Sequence, residues 1–469
     1  MSRRFRKQRC FVSQLVATAA MVGRMDDSSP LGSPRPTLRS RDVLALTVGI
    51  VVGAGIFRTP SLVAGAAGSE AEMILVWVAG GLLSIVGALC YAELAAAFPS
   101  VGGDYHFLGR AYGQRLAFLY AWARLAVIQT GSLALLSYVV GDYLAAIVPL
   151  GAYGSTLYAG IAVIVVTALN WIGVRQGAAV QFWLTIAEVT GLVVVILAGL
   201  LLSPAQPSPA PVPDGSAIGL MLVFVLLTYG GWNEAVYVSA ELDDAPRKMA
   251  PIMVGGLLIV TALYVLANFA FLNALGLGGM GASDAVASEV MRRAGGEWGA
   301  AAISIIIAVA ALTSANATAI TGARTTCALG RRFAVLSWLG RWDMARDTPG
   351  NALIAQGAIA LVLVAAGAFA RDGFQLAVDY TAPIFWLFLL LVGVSLFVFR
   401  MREPDLPRPF RVPLYPVTPA IFCATTAYLL WSSLAYTGTG ALVGVAVLGI
   451  GGVALAFLKP LPEEKEPGP

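Results

Sequence analysis

The stretch Gly49-Ile50-Val51-Val52-Gly53-Ala54-Gly55-Ile56-Phe57 decides the fold, because three glycines in seven positions interrupt an apolar run. Each glycine weakens a helix by roughly 1 kcal/mol relative to alanine. The apolar run extends over about 42–66, which is long enough to cross a bilayer. In lipid, an unwound segment is tolerated only where it lines a cavity. The stretch therefore predicts a broken membrane helix, with close packing through small residues as the structural alternative.

The composition places the whole chain in a membrane. Of its 469 residues, 58% are hydrophobic and 12% are charged, whereas soluble domains have about 45–50% and about 25%. This excludes a soluble enzyme, a disordered tail protein and a nucleic-acid-binding protein as the main interpretation. The four cysteines lack metal-site and disulfide spacing, so we interpret them as small buried hydrophobic residues. No cofactor and no metal site are expected.

Apolar runs bounded by glycine, proline and charged residues predict an all-α membrane protein with twelve transmembrane helices. The runs are continuous rather than alternating, which favours helices over a β-barrel. The predicted spans are 42–66, 71–97, 115–146, 153–169, 177–202, 215–240, 251–275, 300–329, 351–368, 379–400, 414–437 and 439–459.

The distribution of basic residues predicts the orientation. With the N-terminus inside, 25 of the 30 lysines and arginines fall in cytoplasmic segments, four fall outside, and Arg124 lies within a span. Because basic residues mark the cytoplasmic side, both termini are predicted to be cytoplasmic. The short loops favour the plasma (inner) membrane of a bacterium as the location.

The ends of the chain differ in composition from its middle. We expect a disordered cytoplasmic tail over 1–40, a twelve-helix membrane domain over 41–460 and a second cytoplasmic tail over 461–469. The sequence leaves open whether Met1 or Met25 is the true start.

A second interruption, Thr228-Tyr229-Gly230-Gly231-Trp232-Asn233, falls in the sixth predicted span. Interruptions at corresponding places in two halves indicate an inverted-repeat transporter with its site at the midplane. Freed N–H groups at 53–55 favour an anion, as at any helix N-terminus. Freed carbonyls near Val51 and Leu227 favour a cation. Because a free amino acid carries both charges on one carbon, the two breaks predict an amino acid held by backbone groups.

Six motifs occur in a characteristic order along the chain. They are Gly53-Ala54-Gly55-Ile56-Phe57, Gly87-Ala88-Leu89-Cys90-Tyr91-Ala92-Glu93-Leu94, Pro99-Ser100-Val101-Gly102-Gly103-Asp104-Tyr105, Tyr229-Gly230-Gly231-Trp232-Asn233, Ser314-Ala315-Asn316 and Arg408-Pro409-Phe410-Arg411-Val412-Pro413-Leu414-Tyr415-Pro416. In this order they resemble the amino acid–polyamine–organocation permeases, in particular their L-type amino acid transporter branch. The resemblance covers nearly the whole chain after residue 40.

The resemblance implies a LeuT-like fold of two inverted five-helix repeats, in which helices 1 and 6 are broken. The repeats would cover about 42–202 and about 215–400, and two extra helices would follow over about 414–459.

The resemblance also implies a substrate site. Ala54 and Gly55 would give N–H groups to the carboxylate, and Leu227 stands where relatives often place a gating phenylalanine. Tyr229 and Trp232 either face the substrate or pack between helices. The predicted substrate-binding residues are Val51, Gly53, Ala54, Gly55, Leu227, Tyr229, Gly230, Trp232 and Asn233.

Three residues are candidates for coupling or an ion site. Glu188 lies near the middle of the fifth predicted span, where a charge costs at least about 2.5–3.5 kcal/mol. Relatives often have a lysine there, so the hypothesis is a carboxylate that couples transport to protons. The alternative is a structural ion pair or a neutral, hydrogen-bonded acid. Ser314 and Asn316 lie near the place where relatives bind sodium, although a helical serine often bonds its own backbone.

Charged residues outside the spans suggest an inner gate. Arg110 and Arg115 could pair with Glu241 and Asp244, and a solvated charged loop is the alternative. We interpret Glu93, at the end of the second span, as a packing or loop-anchoring acid.

These observations predict a secondary active transporter for neutral L-amino acids that works by alternating access, with proton symport or exchange. Glu234, beside Asn233, keeps a cationic amino acid or polyamine antiporter open as an alternative. A membrane-embedded enzyme is disfavoured, since no nucleophile, base or metal cluster falls within the spans. The predicted partners are the amino acid, the lipid bilayer and protons. No disulfide-linked glycoprotein subunit is expected, because the external loop Val148–Ser155 lacks the cysteine that links such subunits in relatives.

Overall fold

The computed structural model consists of α-helices and short connections. It describes residues 44, 47–49, 51–98, 103–173, 178–205, 218–234, 245–344, 346, 348–370, 372–436 and 439–457. No β-strand occurs in these ranges, and a single isolated bridge pairs Asp343 with Thr348. Both predicted tails, 1–40 and 461–469, lie outside the described residues.

Fourteen helices follow one another in the described ranges. They are α1 (Gly55–Ala66), α2 (Glu70–Ala97), α3 (Gly103–Tyr112), α4 (Gln114–Ala123), α5 (Gln129–Ala145), α6 (Gly154–Ile172), α7 (Ala178–Leu201), α8 (Ile218–Thr228), α9 (Ala245–Gly281), α10 (Val286–Arg332), α11 (Gly350–Gly367), α12 (Gly373–Arg402), α13 (Val417–Tyr436) and α14 (Thr439–Phe457). A π-helical turn, Arg124–Ile128, joins α4 to α5, so these two form one continuous span.

Eight of the described helical segments are long and apolar enough to cross a membrane. Three shorter apolar helices, Ile186–Leu201, Ile218–Glu234 and Gly440–Leu455, fall within other predicted spans. This number of apolar helices indicates a multi-pass membrane protein, as the composition predicted.

Two long helices contain glycine breaks. The helix α9 is interrupted at Gly276, where φ is +67°, directly after the predicted span 251–275 ends. The helix α10 begins at Val286 rather than near residue 300, and it is broken at Gly295 and Gly296. Glycine adopts positive φ without steric cost, so Gly276 and Gly296 each separate a short helix from the spanning one.

The first predicted span is broken where its glycines predicted. Helical structure ends at Val51, the chain bends at Val52 and Gly53, and α1 begins at Gly55. The sixth span is interrupted as well, since α8 ends at Thr228 and a turn follows. Residues 235–244 lie outside the described residues.

Backbone contacts divide the chain into two compact units. The first unit draws on Met1–Phe107, Arg175–Thr313 and Val392–Thr425. The second unit draws on Leu108–Val174, Ser314–Leu391 and Thr426–Pro469. Each unit takes helices from both predicted repeats, and the repeat relation itself stays a prediction.

Within the first unit, α2 packs closely on α8 and α9. A Cβ atom at Gly80 would collide with Val225 of α8, and one at Gly81 would collide with Thr261 of α9. Small residues at such contacts let helix backbones approach, which is how helices associate in lipid. This packing holds α8 and α9 beside the broken first helix.

Candidate functional site

The break before α1 is a tight turn. The N–H of Gly53 donates to the carbonyl of Val51 at 2.8 Å. The sequence predicted a free N–H at Gly53, and this prediction is wrong. The N–H groups of Ala54 and Gly55 find no acceptor among the described residues. Two of the three predicted donors are therefore left at the N-terminus of α1, where the helix dipole favours an anion.

The break after α8 also forms local hydrogen bonds. The carbonyl of Leu227 accepts the N–H of Gly230 at 3.0 Å, and the N–H of Glu234 donates to Gly231 at 3.0 Å. Gly231 has φ of +96°, a conformation that other residues rarely adopt. Binding an ammonium group at Leu227 would thus require a second bond to the same carbonyl.

The two breaks lie against each other within the first unit. A Cβ atom added to Gly55 would lie 3.3 Å from the Thr228 side chain. The Thr228 hydroxyl donates to the carbonyl of Phe224 at 2.9 Å and is 2.7 Å from the hydroxyl of Thr59 on α1. Only their positions in the predicted spans could have pointed to these threonines in the sequence.

Tyr264 of α9 is a further site residue that sequence reasoning missed. It is fully buried, and its hydroxyl donates to the carbonyl of Val51 at 2.7 Å. The same hydroxyl lies 3.4 Å from the carbonyl of Thr228. One side chain thus reaches the backbone at both breaks, and the Val51 carbonyl accepts two hydrogen bonds.

The aromatic residues of the second break pack between helices. Tyr229 is fully buried, and its hydroxyl donates to the carbonyl of Trp77 at 3.0 Å. Trp232 makes an edge-to-face contact with Tyr91, with ring centroids 5.1 Å apart. Asn233 is 6% exposed. These contacts fit the packing alternative, and substrate contact by these residues stays a prediction.

Glu188 of α7 is buried, with 5% of its surface exposed. Its Oε1 atom is buried and has no hydrogen-bond partner among the described residues. The helix α7 packs against α9. The alternative of a structural ion pair gains no support from the described residues.

The other coupling candidates, Ser314 and Asn316, belong to the second unit. Asn316 accepts a hydrogen bond of 2.6 Å from the amide of Asn170 on α6. Ser314 is partly exposed on α10. Arg124, also in this unit, is 7% exposed and donates to the hydroxyl of Tyr120 at 3.1 Å, so it is buried rather than extended to water.

The inner-gate prediction falls partly outside the described residues. Arg110 and Arg115 are exposed at the ends of α3 and α4. Glu241 and Asp244 are not among the described residues, so their pairing with these arginines stays a prediction. No group of three or more metal-ligating side chains occurs in the part of the chain that the structure describes.

Glu93 of α2 is the centre of a polar cluster away from the two helix breaks. Its carboxylate accepts two hydrogen bonds from Arg400 of α12, at 2.8 and 2.7 Å, and one from the N–H of Val412, at 2.7 Å. Arg408 lies 3.6 Å away. The interpretation of Glu93 as a loop-anchoring acid is therefore confirmed, since it ties the segment after α12 to α2.

Comparison with known proteins matches most of the chain. The model of the family described as "Amino acid permease" matches residues 38–453. The human b(0,+)-type amino acid transporter 1 is 28% identical over 429 residues, which cover 88% of this chain and 86% of that protein. The rabbit (Oryctolagus cuniculus) large neutral amino acids transporter small subunit 2 is 30% identical over 431 residues, which cover 88% of this chain and 78% of that protein.

Proposed function

Because the chain belongs to the amino acid permease family, within the amino acid–polyamine–organocation superfamily, we propose that it carries neutral L-amino acids by alternating access. The observation that supports this most is the contact between the two helix breaks at Gly55 and Thr228. N–H groups left at the start of α1 suit a carboxylate, and carbonyls at both breaks suit an ammonium group. The transporter would be a secondary one, coupled to protons or to amino-acid exchange.

The proposed fold is LeuT-like. Eight helices are long enough to span, and the three shorter apolar helices and the broken first span would bring the number to twelve. The proposed repeats cover about 42–202 and about 215–400. The bias of basic residues supports cytoplasmic termini, and the short loops support a position in the plasma (inner) membrane.

The uncharged character of the predicted binding residues supports a neutral substrate. Among the predicted binding residues none is charged, and the rabbit relative is named for large neutral amino acids. Glu234 next to Asn233 is partly buried, which supports cationic amino acids or polyamines as the second candidate class. A substrate cation would require a carboxylate beside its side chain.

The name of the rabbit relative bears on the question of partner subunits. The rabbit relative is named as a small subunit, which marks that protein as part of a larger assembly. For this chain we propose no disulfide-linked glycoprotein subunit, because the loop Val148–Ser155 contains no cysteine. Electrophoresis of the protein from its native membrane, without reductant, tests this: a reductant-sensitive larger band would contradict the proposal.

Counterflow into proteoliposomes tests the proposed function. Labelled neutral, cationic and acidic amino acids and a polyamine are offered in parallel, each with and without a pH gradient. We expect accumulation of neutral amino acids, and Glu188→Gln should remove any response to pH. Failure to accumulate any amino acid or amine would refute the transport function, whereas preference for lysine or arginine would favour the second candidate class.

A further inference from the structure

A pair of threonine hydroxyls joins the two broken helices. Thr59 lies on α1, one turn after its start at Gly55, and Thr228 is the last residue of α8. Their hydroxyl oxygens are 2.7 Å apart, and both side chains are buried. Water therefore competes little for this hydrogen bond, which connects the start of one helix to the end of the other.

The hydrogens of the pair follow from their acceptors. The Thr228 hydroxyl lies 2.9 Å from the carbonyl of Phe224, one turn earlier in α8, and a carbonyl can only accept. The single hydrogen of Thr228 therefore goes to Phe224, and Thr59 donates to the Thr228 oxygen. Each hydroxyl thus has a fixed direction, and the chain of bonds couples α1 to the backbone of α8.

The bond of Thr59 differs from the usual bond of a helical threonine. A threonine within a membrane helix often bonds a carbonyl of its own helix. Thr130 of α5 does so, with its hydroxyl 2.9 Å from the carbonyl of Ala126. Among the described residues, the hydroxyl of Thr59 bonds a residue of another helix instead. It therefore serves the contact between α1 and α8 rather than α1 alone.

Gly55 permits the two helix ends to approach each other. A Cβ atom at this position would lie 3.3 Å from Cγ2 and 3.5 Å from Oγ1 of Thr228. A side chain at position 55 would press against Thr228, so glycine keeps the end of α8 against the start of α1. The N–H groups at the start of α1 thus lie beside the last residue of α8.

The same two helix ends are also held through their backbones. The Tyr264 hydroxyl lies 2.7 Å from the Val51 carbonyl and 3.4 Å from the Thr228 carbonyl. These carbonyls are the expected acceptors of the substrate ammonium group. The threonine pair fixes them relative to the N–H groups of α1, which are the expected donors to the carboxylate.

We propose that Thr59 and Thr228 are positioning residues that set the spacing of the carboxylate and ammonium sites to that of an α-amino acid. The proposal rests on the proposed function, since it requires one amino acid to bind at both breaks. A single carbon separates the two charged groups of an α-amino acid, whereas two carbons separate those of a β-amino acid. A spacing held by short, buried bonds fits the first and disfavours the second, because a charged group displaced by about one bond length loses its hydrogen bonds.

Competition between isomers tests the proposal. Alanine and β-alanine, and leucine and β-leucine, are titrated in proteoliposomes against counterflow of the labelled neutral amino acid that the wild-type protein accumulates best. The members of each pair are isomers that differ in the number of carbons between their charges. We expect the inhibition constant of the α isomer to be at least about tenfold lower, as the loss of one hydrogen bond to a charged group implies.

The valine variants should reduce this preference. Thr59→Val and Thr228→Val each remove one hydroxyl with little change of shape. Each should raise the inhibition constant of the α isomer by about three- to tenfold, the effect of one hydrogen bond, and leave that of the β isomer unchanged. The double variant removes the same bond and should therefore resemble the single variants.

Thr130→Val is the matched control, since it removes a buried hydroxyl that bonds within its own helix. It should keep the wild-type preference, and Thr59→Ser, which retains the hydroxyl, should keep it as well. Thr59→Val leaves Thr228 bonded to Phe224, so no buried hydrogen loses its acceptor and the variant should melt close to the wild-type Tm.

Three results would overturn the proposal while transport itself stands. The valine variants would keep the wild-type preference for the α isomer, or Thr130→Val would reduce it equally. The third result needs no variant to fold: a wild-type protein that binds the α and β isomers equally. If no amino acid competes or accumulates at all, the proposed function fails instead.

Discussion

Glu93 and Glu188 are both buried acids of the first unit, with 2% and 5% of their surfaces exposed, yet their surroundings differ. Both oxygens of Glu93 are bonded, to Arg400 and to the N–H of Val412. The Oε1 atom of Glu188 has no partner among the described residues. The two acids are therefore similarly buried, but only Glu93 is hydrogen-bonded at both oxygens by described residues.

The difference separates a structural acid from a functional candidate. Burying a carboxylate costs several kcal/mol, which an arginine and a backbone N–H offset only when the geometry is good. Glu93 meets that condition and joins the segment after α12 to α2. Among the described residues the Oε1 of Glu188 has no such partner, and an ionisable group within a membrane span without one is expected to serve function.

The largest expected effect is on folding stability at Glu93. Glu93→Gln removes the charge opposite Arg400, whose side chain is 19% exposed. Breaking this ion pair, whose acid is only 2% exposed, should lower the free energy of unfolding by about 3 kcal/mol. Thermal melting in detergent, measured on the full chain, should show a clear decrease in Tm.

Arg411→Gln is the control for Glu93→Gln. Arg411 is exposed on the segment that Glu93 anchors, and its loss should change Tm little. If the two variants melt at the same temperature as the wild-type protein, the Glu93 cluster is not a structural anchor and the comparison fails.

An intermediate effect is expected from the same substitution at the other acid. Glu188→Gln replaces a carboxyl group by a neutral amide of similar shape, which costs less to bury. The free energy of unfolding should stay within about 1 kcal/mol of the wild-type value or increase. Melting in detergent measures this alongside Glu93→Gln. A loss of stability equal to that of Glu93→Gln would show that Glu188 also has a structural partner.

The sequence predicted much of the fold because glycine and apolar length act locally. The glycines at 49–55 indicated the break that the structure places at Val52–Ala54, and apolar runs indicated the spanning helices. The same local rules missed the start of α10, because the short helix from Val286 to Gly295 is amphiphilic rather than apolar. The π-helical turn at Arg124–Ile128 was also missed.

The partners of the site residues could not be predicted, because they lie far apart along the chain. Arg400 is 307 residues from Glu93, and Tyr264 is 213 residues from Val51. A single sequence contains no signal that joins such pairs. It also could not show that the carbonyl of Val51 and the N–H of Gly53 are already bonded, since those bonds depend on the exact turn.

The smallest effect is expected at Asp284, an acid that is bonded but exposed. Its Oδ1 lies 2.9 Å from Arg58, and the two side chains are 78% and 3% exposed. Asp284→Asn should lower the free energy of unfolding by less than about 1 kcal/mol, since water already screens this carboxylate. Arg58 also keeps its 3.2 Å hydrogen bond to Ser61. Comparing the Tm of this variant with that of Glu93→Gln tests whether burial of the acid, rather than of the arginine, determines the loss of stability. If Asp284→Asn and Glu93→Gln lower Tm equally, the loss of stability comes from the unpaired buried arginine. Burial of Glu93 would then not explain why it stabilises the protein.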